Sequence, residues 1–275
     1  MIEPAIRLRP LTVADLLDEA FRLYRLRFPL LAAISIGAYI PTLLVSLITG
    51  SPNVYAALFE LVSNPGTTVQ PPIANPLLTL LVYPVQLVSF PIQWSGLFLV
   101  SVWTVLGYQA KPRQVLEQIL RTFPASAAIA FLYVFGGISL LYCCFPVAFW
   151  LAVKLALLYP AYYAERTGIG SAFERSWRLT DGFFWRTFGL LAALTALNFA
   201  LTWALLATLD IAALLLPGLT PWLRGALVIV GSSLAQMLVL PLVTLAVTLI
   251  YFDLRVRKEA LDLDVMAYRI AAEAR

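Results

Sequence analysis

The sequence predicts an all-α polytopic membrane protein with six transmembrane helices, arranged as three hairpins that are each preceded by an amphipathic interfacial helix. Hydrophobic residues make up 61% of the 275-residue chain, charged residues make up only 12%, and the mean hydropathy is +0.86. Soluble domains carry about 25% charged residues, so this chain has too few to cover a water-soluble core. Long uncharged stretches also alternate with short basic segments. A soluble globular fold is therefore excluded.

The uncharged stretches set the predicted spans, because a membrane helix needs about 20 apolar residues. The second stretch exceeds this length and should tilt or bend, with Pro84 and Pro91 as the natural bend points. We expect Pro241 to interrupt the sixth span and a tight turn at Cys143–Pro146 to join the third and fourth. We predict a single membrane domain over residues 1–275, with spans at about 28–50, 76–108, 124–143, 146–164, 188–209 and 223–252.

The distribution of basic residues predicts the orientation. All but Lys154 and Arg224 of the 19 lysines and arginines fall in the N-terminal arm, the 109–122 and 165–187 loops and the tail. The opposite loops, at about 51–75, 143–147 and 210–222, contain none. By the positive-inside rule the basic face is cytoplasmic. We therefore expect a multi-pass protein of the plasma (cytoplasmic) membrane with both termini in the cytoplasm, and no nucleic-acid partner.

A short pattern recurs before the first, third and fifth spans, in residues 16–28, 115–123 and 172–188. Each copy has an acid and an arginine four positions apart, a spacing that supports an exposed helical face. The three pairs are Asp18 and Arg22, Glu117 and Arg121, and Glu174 and Arg178. The pattern predicts interfacial helices, whose arginines either face anionic lipid phosphates or form a cytoplasmic collar for a partner protein.

Local signals predict where these helices begin. Thr12 and Asp15 have the spacing of a capping box, and so do Ser171 and Glu174. Pro112 suits the first turn of the helix before the third span.

Four segments resemble the glycerophosphoryl diester phosphodiesterase membrane-domain family: RPLTVADLLDEAFRLYR (9–25), VKLALLYPAYYAE (153–165), SAFERSWRLTDGFFWRTFGLL (171–191) and YFDLRVRKEALDLDV (251–265). In some members the membrane part precedes a soluble phosphodiesterase domain. The resemblance here implies the membrane part only. The phosphodiesterase reaction relies on histidines, and this chain has none. We expect no catalytic domain.

Missing residue types narrow the chemistry further. Without histidine there is no imidazole base and no histidine metal ligand. The two cysteines, Cys143 and Cys144, are adjacent in an apolar stretch, which is typical of packing residues. We find no glycine-rich phosphate loop and no dinucleotide fingerprint. We therefore predict no enzyme activity, no metal and no cofactor.

Lys154 is the most unusual residue, because the predicted fourth span places it near mid-membrane. A lysine there costs about 2.5–3.5 kcal/mol on insertion scales, and no predicted span contains a neutralising carboxylate. It either binds an anion or lipid phosphate together with Asn198 and Gln236, or it snorkels along its own helix as a structural residue. The sequence leaves both alternatives open.

The predicted function is a non-catalytic integral membrane scaffold, accessory subunit or lipid-handling module. The alternative is a small transporter or channel that uses Lys154 for an anionic solute. Anionic membrane lipids are the expected partners, together with a membrane protein or a second copy of the chain. The predicted headgroup and interface residues are Arg22, Arg25, Arg121, Arg175, Arg178, Arg224, Arg255 and Arg257.

Overall fold

The computed structural model describes residues 12–49, 80–136, 145–166, 168–215 and 220–259. This part of the chain is helical and contains no strand. A π-helical turn, Leu132–Gly136, follows the third of its α-helices. The helices are α1 (Val13–Ile48), α2 (Val82–Val105), α3 (Pro112–Phe131), α4 (Phe145–Leu155), α5 (Leu158–Glu165), α6 (Ile169–Thr180), α7 (Phe184–Leu215) and α8 (Pro221–Glu259).

Six helical segments in the described residues are long and apolar enough to cross a membrane, which confirms the predicted fold class. Each overlaps one predicted span. The predicted loop at 51–75, the turn at Cys143 and Cys144, and the tail after Glu259 lie outside the described residues. The six segments are Val13–Ile48, Val82–Val105, Pro112–Val134, Pro146–Glu165, Phe184–Thr208 and Trp222–Glu259.

Helix α1 contains both the first repeated segment and the first span. Its capping box is confirmed: the Thr12 backbone N–H donates to Asp15 Oδ2 at 3.1 Å, and the Asp15 N–H donates to Thr12 Oγ1 at 3.2 Å. The helix has a local break at Arg27, where the backbone is non-helical (φ −115°, ψ 16°). Pro29 lies two residues further on, and its ring both crowds the preceding turn and removes a helical donor. The break therefore separates an N-terminal segment from the span proper.

Prolines act differently in different helices. The predicted interruption of the sixth span at Pro241 is wrong, since α8 runs through this residue. Proline removes one helical hydrogen bond, and here close packing of the flanking turns outweighs that loss, because Leu242 and Leu245 are buried. The fourth span does break, between α4 and α5. Pro160 has no N–H to donate to the Ala156 carbonyl, which lies in this break.

The repeated segments differ in how they join their spans. The first joins its span within α1 through the local break at Arg27, and the second is continuous with its span in α3, where Pro112 occupies the first turn as predicted. The third forms a separate helix, α6, which a turn at residues 181–183 divides from α7. Gly182 has φ +81° in this turn, a conformation that favours glycine.

The side-chain pairs in these segments follow the prediction in part. Arg121 pairs with Glu117 at 2.6 Å, and Arg178 with Glu174 at 3.9 Å. In the first segment Arg22 pairs with Glu19, one position away from the predicted Asp18. The capping box predicted at Ser171 is wrong. Helix α6 begins two residues earlier, and the Ser171 hydroxyl donates to the Gly168 carbonyl at 2.8 Å.

The core lies where α1, α2, α5 and α8 meet. Residues 244–254 of α8 are all buried, and Phe98 of α2 stacks on Tyr159 of α5 with a centroid separation of 5.1 Å. Helix α7, in contrast, exposes large apolar side chains such as Phe199 and Trp203. Exposed apolar surface of this kind suits a lipid environment. The helices are therefore packed tightly at one end of the bundle, while apolar side chains elsewhere face outward.

Candidate functional site

The basic segments meet in what we term the charged end, formed by the last turns of α4 and α5, by α6, the 181–183 turn, the start of α7 and the last two turns of α8. At its centre Arg175 of α6 forms ion pairs with Glu165 of α5 and Glu259 of α8. The Tyr251 hydroxyl donates to Glu165 Oε1 at 2.8 Å. One guanidinium thus joins α5 and α6, which are consecutive in the chain, to α8, which is 84 residues further along at Glu259.

Arg175 remains cationic in this setting. Burial acts to lower the pKa of its guanidinium, but hydrogen bonds and charge interactions with Glu259 and Glu165 raise the pKa above its usual value. The positive charge is therefore a fixed part of the contact between α6 and α8. It holds two carboxylates rather than presenting itself to a headgroup.

A second ion-pair cluster lies beside it and is centred on Asp253 of α8. Its carboxylate is fully buried and accepts hydrogen bonds from Arg186 of α7 at 3.0 Å and Arg257 at 3.0 Å. A buried carboxylate needs such partners, since an unpaired one is costly to remove from water. This cluster fixes the start of α7 against α8.

Lys154 belongs to the charged end and not to the middle of the bundle. Its ammonium pairs with Asp181, in the turn after α6, and lies 5.8 Å from the Trp150 ring centroid and 5.4 Å from that of Trp177. Only 4% of the residue is exposed. No predicted span contains a carboxylate, as expected, but the turn after α6 brings Asp181 to Lys154 from outside the spans.

Asn198 and Gln236 do not share this site in the structure. The partners of the Lys154 ammonium within the described part of the chain are Asp181 and the two tryptophans, and Gln236 is exposed on α8. Residue spacing alone could not distinguish Asn198 and Gln236 from the actual neighbours of Lys154, because the break between α4 and α5 changes the direction of the chain.

The predicted headgroup arginines divide into two groups. Arg22, Arg25, Arg121 and Arg178 are exposed, as a headgroup contact requires. The others are half-buried, and within this second group Arg175, Arg255 and Arg257 form ion pairs inside the charged end. Arg224 is half-buried near the start of α8.

A large apolar cavity, which we term the lateral groove, runs between α1, α2 and α3. Its volume is about 1070 Å³, comparable to the upper end of ligand pockets, about 300–1,000 Å³. Ala33, Gly37 and Pro41 of α1 line it. Residues four positions apart share one helical face, so these three small residues form a shallow strip. Pro84, Val88 and Ile92 of α2 and Val115, Leu116 and Ile119 of α3 also line the groove.

One end of the lateral groove carries a cation. Arg27 lines the groove together with Ala110 and Pro112. Its Nη2 donates to the Tyr108 carbonyl at 3.4 Å, a long contact. Among the described residues, its Nε has no hydrogen-bond partner although it is covered, and no carboxylate lies within ion-pair distance. The groove therefore combines apolar walls with an unneutralised guanidinium.

A smaller and more polar cavity of about 210 Å³ lies near the end of α5. Gln118, Thr122, Tyr163 and Arg166 contribute to its lining. Lys154 lines neither this cavity nor the lateral groove.

Sequence reasoning missed the lateral groove and the role of Arg27. The available signal was the four-residue spacing of Ala33, Gly37 and Pro41, which places small side chains on one helical face. Arg27 also directly precedes the first predicted span and is followed by Pro29. Neither feature reveals that α3 closes one side of a cavity.

Comparison with known proteins gives no relative: no family model, no curated protein and no solved structure matches the chain. The resemblance to the glycerophosphoryl diester phosphodiesterase membrane domain stays a prediction from sequence.

Proposed function

We propose that this protein is a non-catalytic integral membrane protein that handles lipid, and that it holds a lipid acyl chain in the lateral groove. The observation that carries this proposal is the groove itself, with its apolar lining and its volume of about 1070 Å³. Its α1 wall belongs to the first predicted span and its α2 wall to the second. At that depth the surrounding medium is hydrocarbon, so a lipid chain is the occupant available from the side.

The dimensions also suit an acyl chain. From Arg27 to Pro41 the α1 wall extends over about 21 Å at 1.5 Å per residue. One leaflet of the hydrocarbon core is about 15 Å thick, half of the roughly 30 Å total. A chain anchored at one end of the groove would therefore be covered along its length within that leaflet.

The test fills the groove without disturbing its walls. A Cβ on Gly37 would meet no atom within 4 Å, and neither would one on Gly189 of α7, which is exposed and does not line the groove. The Gly37→Phe variant should lose co-purifying lipid, because the new ring occupies the strip between α1 and α2. The Gly189→Phe variant is the matched control, since it adds the same ring to another helix, and it should keep that lipid.

Native mass spectrometry of the full chain released from lipid nanodiscs gives the lipid stoichiometry. Equal occupancy in wild type and Gly37→Phe would contradict the lipid-handling proposal. A loss of lipid in both variants would show that the bound lipid is annular and not specific to the groove.

Orientation and interface contacts are part of the same proposal. The four exposed arginines, Arg22, Arg25, Arg121 and Arg178, support a cytoplasmic basic face in contact with anionic headgroups. The third repeated segment, α6, has buried Ala172 and Leu179 on one side and exposed Glu174 and Arg178 on the other. This division is typical of an amphipathic helix at a membrane interface.

The transporter alternative depends on Lys154 being available to a solute. Its pairing with Asp181 and its position between two tryptophans favour a structural role instead. We therefore rank lipid handling above solute transport.

A further inference from the structure

We propose that the lateral groove selects an anionic glycerophospholipid, with the lipid phosphate on Arg27 and an acyl chain between α1 and α2. This inference rests on the proposed lipid-handling function and adds the class of ligand. It follows from three features of the molecule: the position of Arg27, the absence of a carboxylate beside it among the described residues, and the shape of the groove that begins there.

The first feature is the position of Arg27 at the break in α1. Its non-helical backbone ends the N-terminal segment of the helix, and the first predicted span starts at the next residue. The side chain therefore lies at the expected boundary between headgroups and hydrocarbon, which is the depth of a lipid phosphate. Lys111, between the groove-lining Ala110 and Pro112, is exposed and adds a second positive charge at this end.

The second feature is that no carboxylate in the described part of the chain neutralises Arg27. Nearby, Arg22 is paired with Glu19, and on α3 Arg121 is paired with Glu117. Within the described ranges Arg27 has only a 3.4 Å contact with the Tyr108 carbonyl, and its Nε is covered without a partner. A guanidinium offers a planar fork of donors that matches two phosphate oxygens. A phosphate ester would supply both the missing charge and the missing acceptors.

The third feature is that the groove leads away from this cation. Beyond Arg27 the wall on α1 continues through Leu30, Ile34 and Ala38, and the opposite wall on α2 includes Val85 and Ile92. A cation at one end of an otherwise apolar channel complements an amphiphile with one anionic head and a hydrocarbon tail. A zwitterionic lipid presents the same phosphate, but its own ammonium competes with Arg27 for it.

A transmembrane helix is the competing occupant, because small residues four apart also allow close helix packing. Such a helix would have to bring a carboxylate to Arg27 at the headgroup boundary. Anionic phosphates are already present at that depth in the bilayer, so we commit to lipid. A second copy of the chain or another helix becomes an outcome of the test.

The experiment compares the full chain in nanodiscs of phosphatidylcholine with and without phosphatidylglycerol of identical acyl chains, with retained lipid read by native mass spectrometry. Arg27→Gln should lower the preference for phosphatidylglycerol by about ten- to hundred-fold, the loss expected when charge-assisted hydrogen bonds are removed. Arg27→Lys should keep part of the preference, since it keeps the charge but loses the fork. Arg166→Gln is the matched control: Arg166 is exposed, does not line the groove, is not among the predicted headgroup arginines, and carries the same charge.

Each outcome decides between the proposals. A wild-type lipid preference in Arg27→Gln overturns the headgroup assignment. An equal loss in Arg166→Gln overturns it too, because it would indicate general surface electrostatics. If Gly37→Phe still removes lipid in either case, the lipid-handling function survives without this inference. A dimer or a bound helix in place of lipid overturns both. Tryptophan fluorescence checks that each variant is folded, and Arg27→Lys keeps the test informative if Arg27→Gln is unstable.

Discussion

The pair formed by Lys154 and Asp181 makes an asymmetric prediction about stability. Lys154 is buried, whereas 54% of the Asp181 side chain is exposed. Removing the carboxylate leaves a cation in a covered position, but removing the cation leaves a carboxylate that water already reaches. Asp181→Asn should therefore destabilise the protein much more than Lys154→Met.

The magnitudes follow from the burial of each partner. Breaking a fully buried pair by removing one partner costs about 3–5 kcal/mol, while an exposed pair contributes about 0–1 kcal/mol. For a half-exposed partner and an ammonium that keeps two aromatic neighbours, we expect Asp181→Asn to cost about 2 kcal/mol. Lys154→Met keeps the packed stem and removes the buried charge, so it should change the free energy of unfolding by no more than about 1 kcal/mol in either direction.

Equilibrium unfolding in mixed detergent micelles, followed by tryptophan fluorescence, measures these differences. Asp18→Asn is the matched control, because Asp18 is exposed and the charge change is the same; its effect should stay within about 0.5 kcal/mol. The double variant Lys154→Met/Asp181→Asn should be as stable as Lys154→Met alone. If Asp181→Asn matches the control, or if Lys154→Met is the more damaging change, the structural role of the pair is refuted and a ligand role for Lys154 regains support.

Three further predictions test packing, the charged end and topology. Gly96→Ala should cost about 1–2 kcal/mol by overpacking, because the new Cβ would lie 2.7 Å from Ile34 Cγ2 and 2.9 Å from Ile119 Cδ1. Gly37→Ala is the control and should be neutral or stabilising by up to about 1 kcal/mol. Similar unfolding midpoints for the two variants would contradict the close approach of α1, α2 and α3. Asp253→Asn should cost about 2–3 kcal/mol, since two arginines lose a buried carboxylate. Glu117→Gln, in an exposed pair, should cost about 0.5 kcal/mol, and equal losses of unfolding free energy in the two variants would contradict the stabilising role of Asp253. Topology can be tested by cysteine labelling in a chain lacking Cys143 and Cys144. A cysteine that replaces Thr67, outside the described residues, should react with an impermeant reagent added outside, and one that replaces Arg113 should react only after the membrane is permeabilised. Equal labelling of both sites from outside would overturn the six-span topology.

The fold was largely predictable because its signals are local in the chain. Uncharged stretches of sufficient length give the six candidate spans, and the capping box at Thr12 and the first-turn Pro112 are set by neighbours a few residues away. Proline was a less reliable guide. Pro160 accompanies a break, yet Pro241 does not, because the second outcome depends on how tightly α8 is packed by other helices.

The side-chain partners were not predictable, because they depend on contacts between residues far apart in sequence. Arg175 is 84 positions from Glu259, and Arg186 is 67 from Asp253. Arg175 therefore pairs with Glu259, and Lys154 pairs with Asp181 from a turn that no predicted span contains. Arg255 and Arg257 also lie in ion pairs, with partners four positions away on α8. The headgroup contacts of these arginines stay a prediction.

The charged end and the lateral groove are built from different helices, and this has a consequence for function. The ion pairs of the charged end join α4, α5, α6, α7 and α8, whereas every described residue that lines the groove belongs to α1, α2, α3 or the loop before α3. Substitutions in two such separate sets should add independently. Asp181→Asn should thus lower stability but leave the bound lipid unchanged. Arg27→Gln should leave stability unchanged but lower the preference for phosphatidylglycerol. If both variants lost both stability and lipid, the ion-pair network would have to hold α1 against its neighbours. The groove would then depend on the whole bundle and not only on its first three helices.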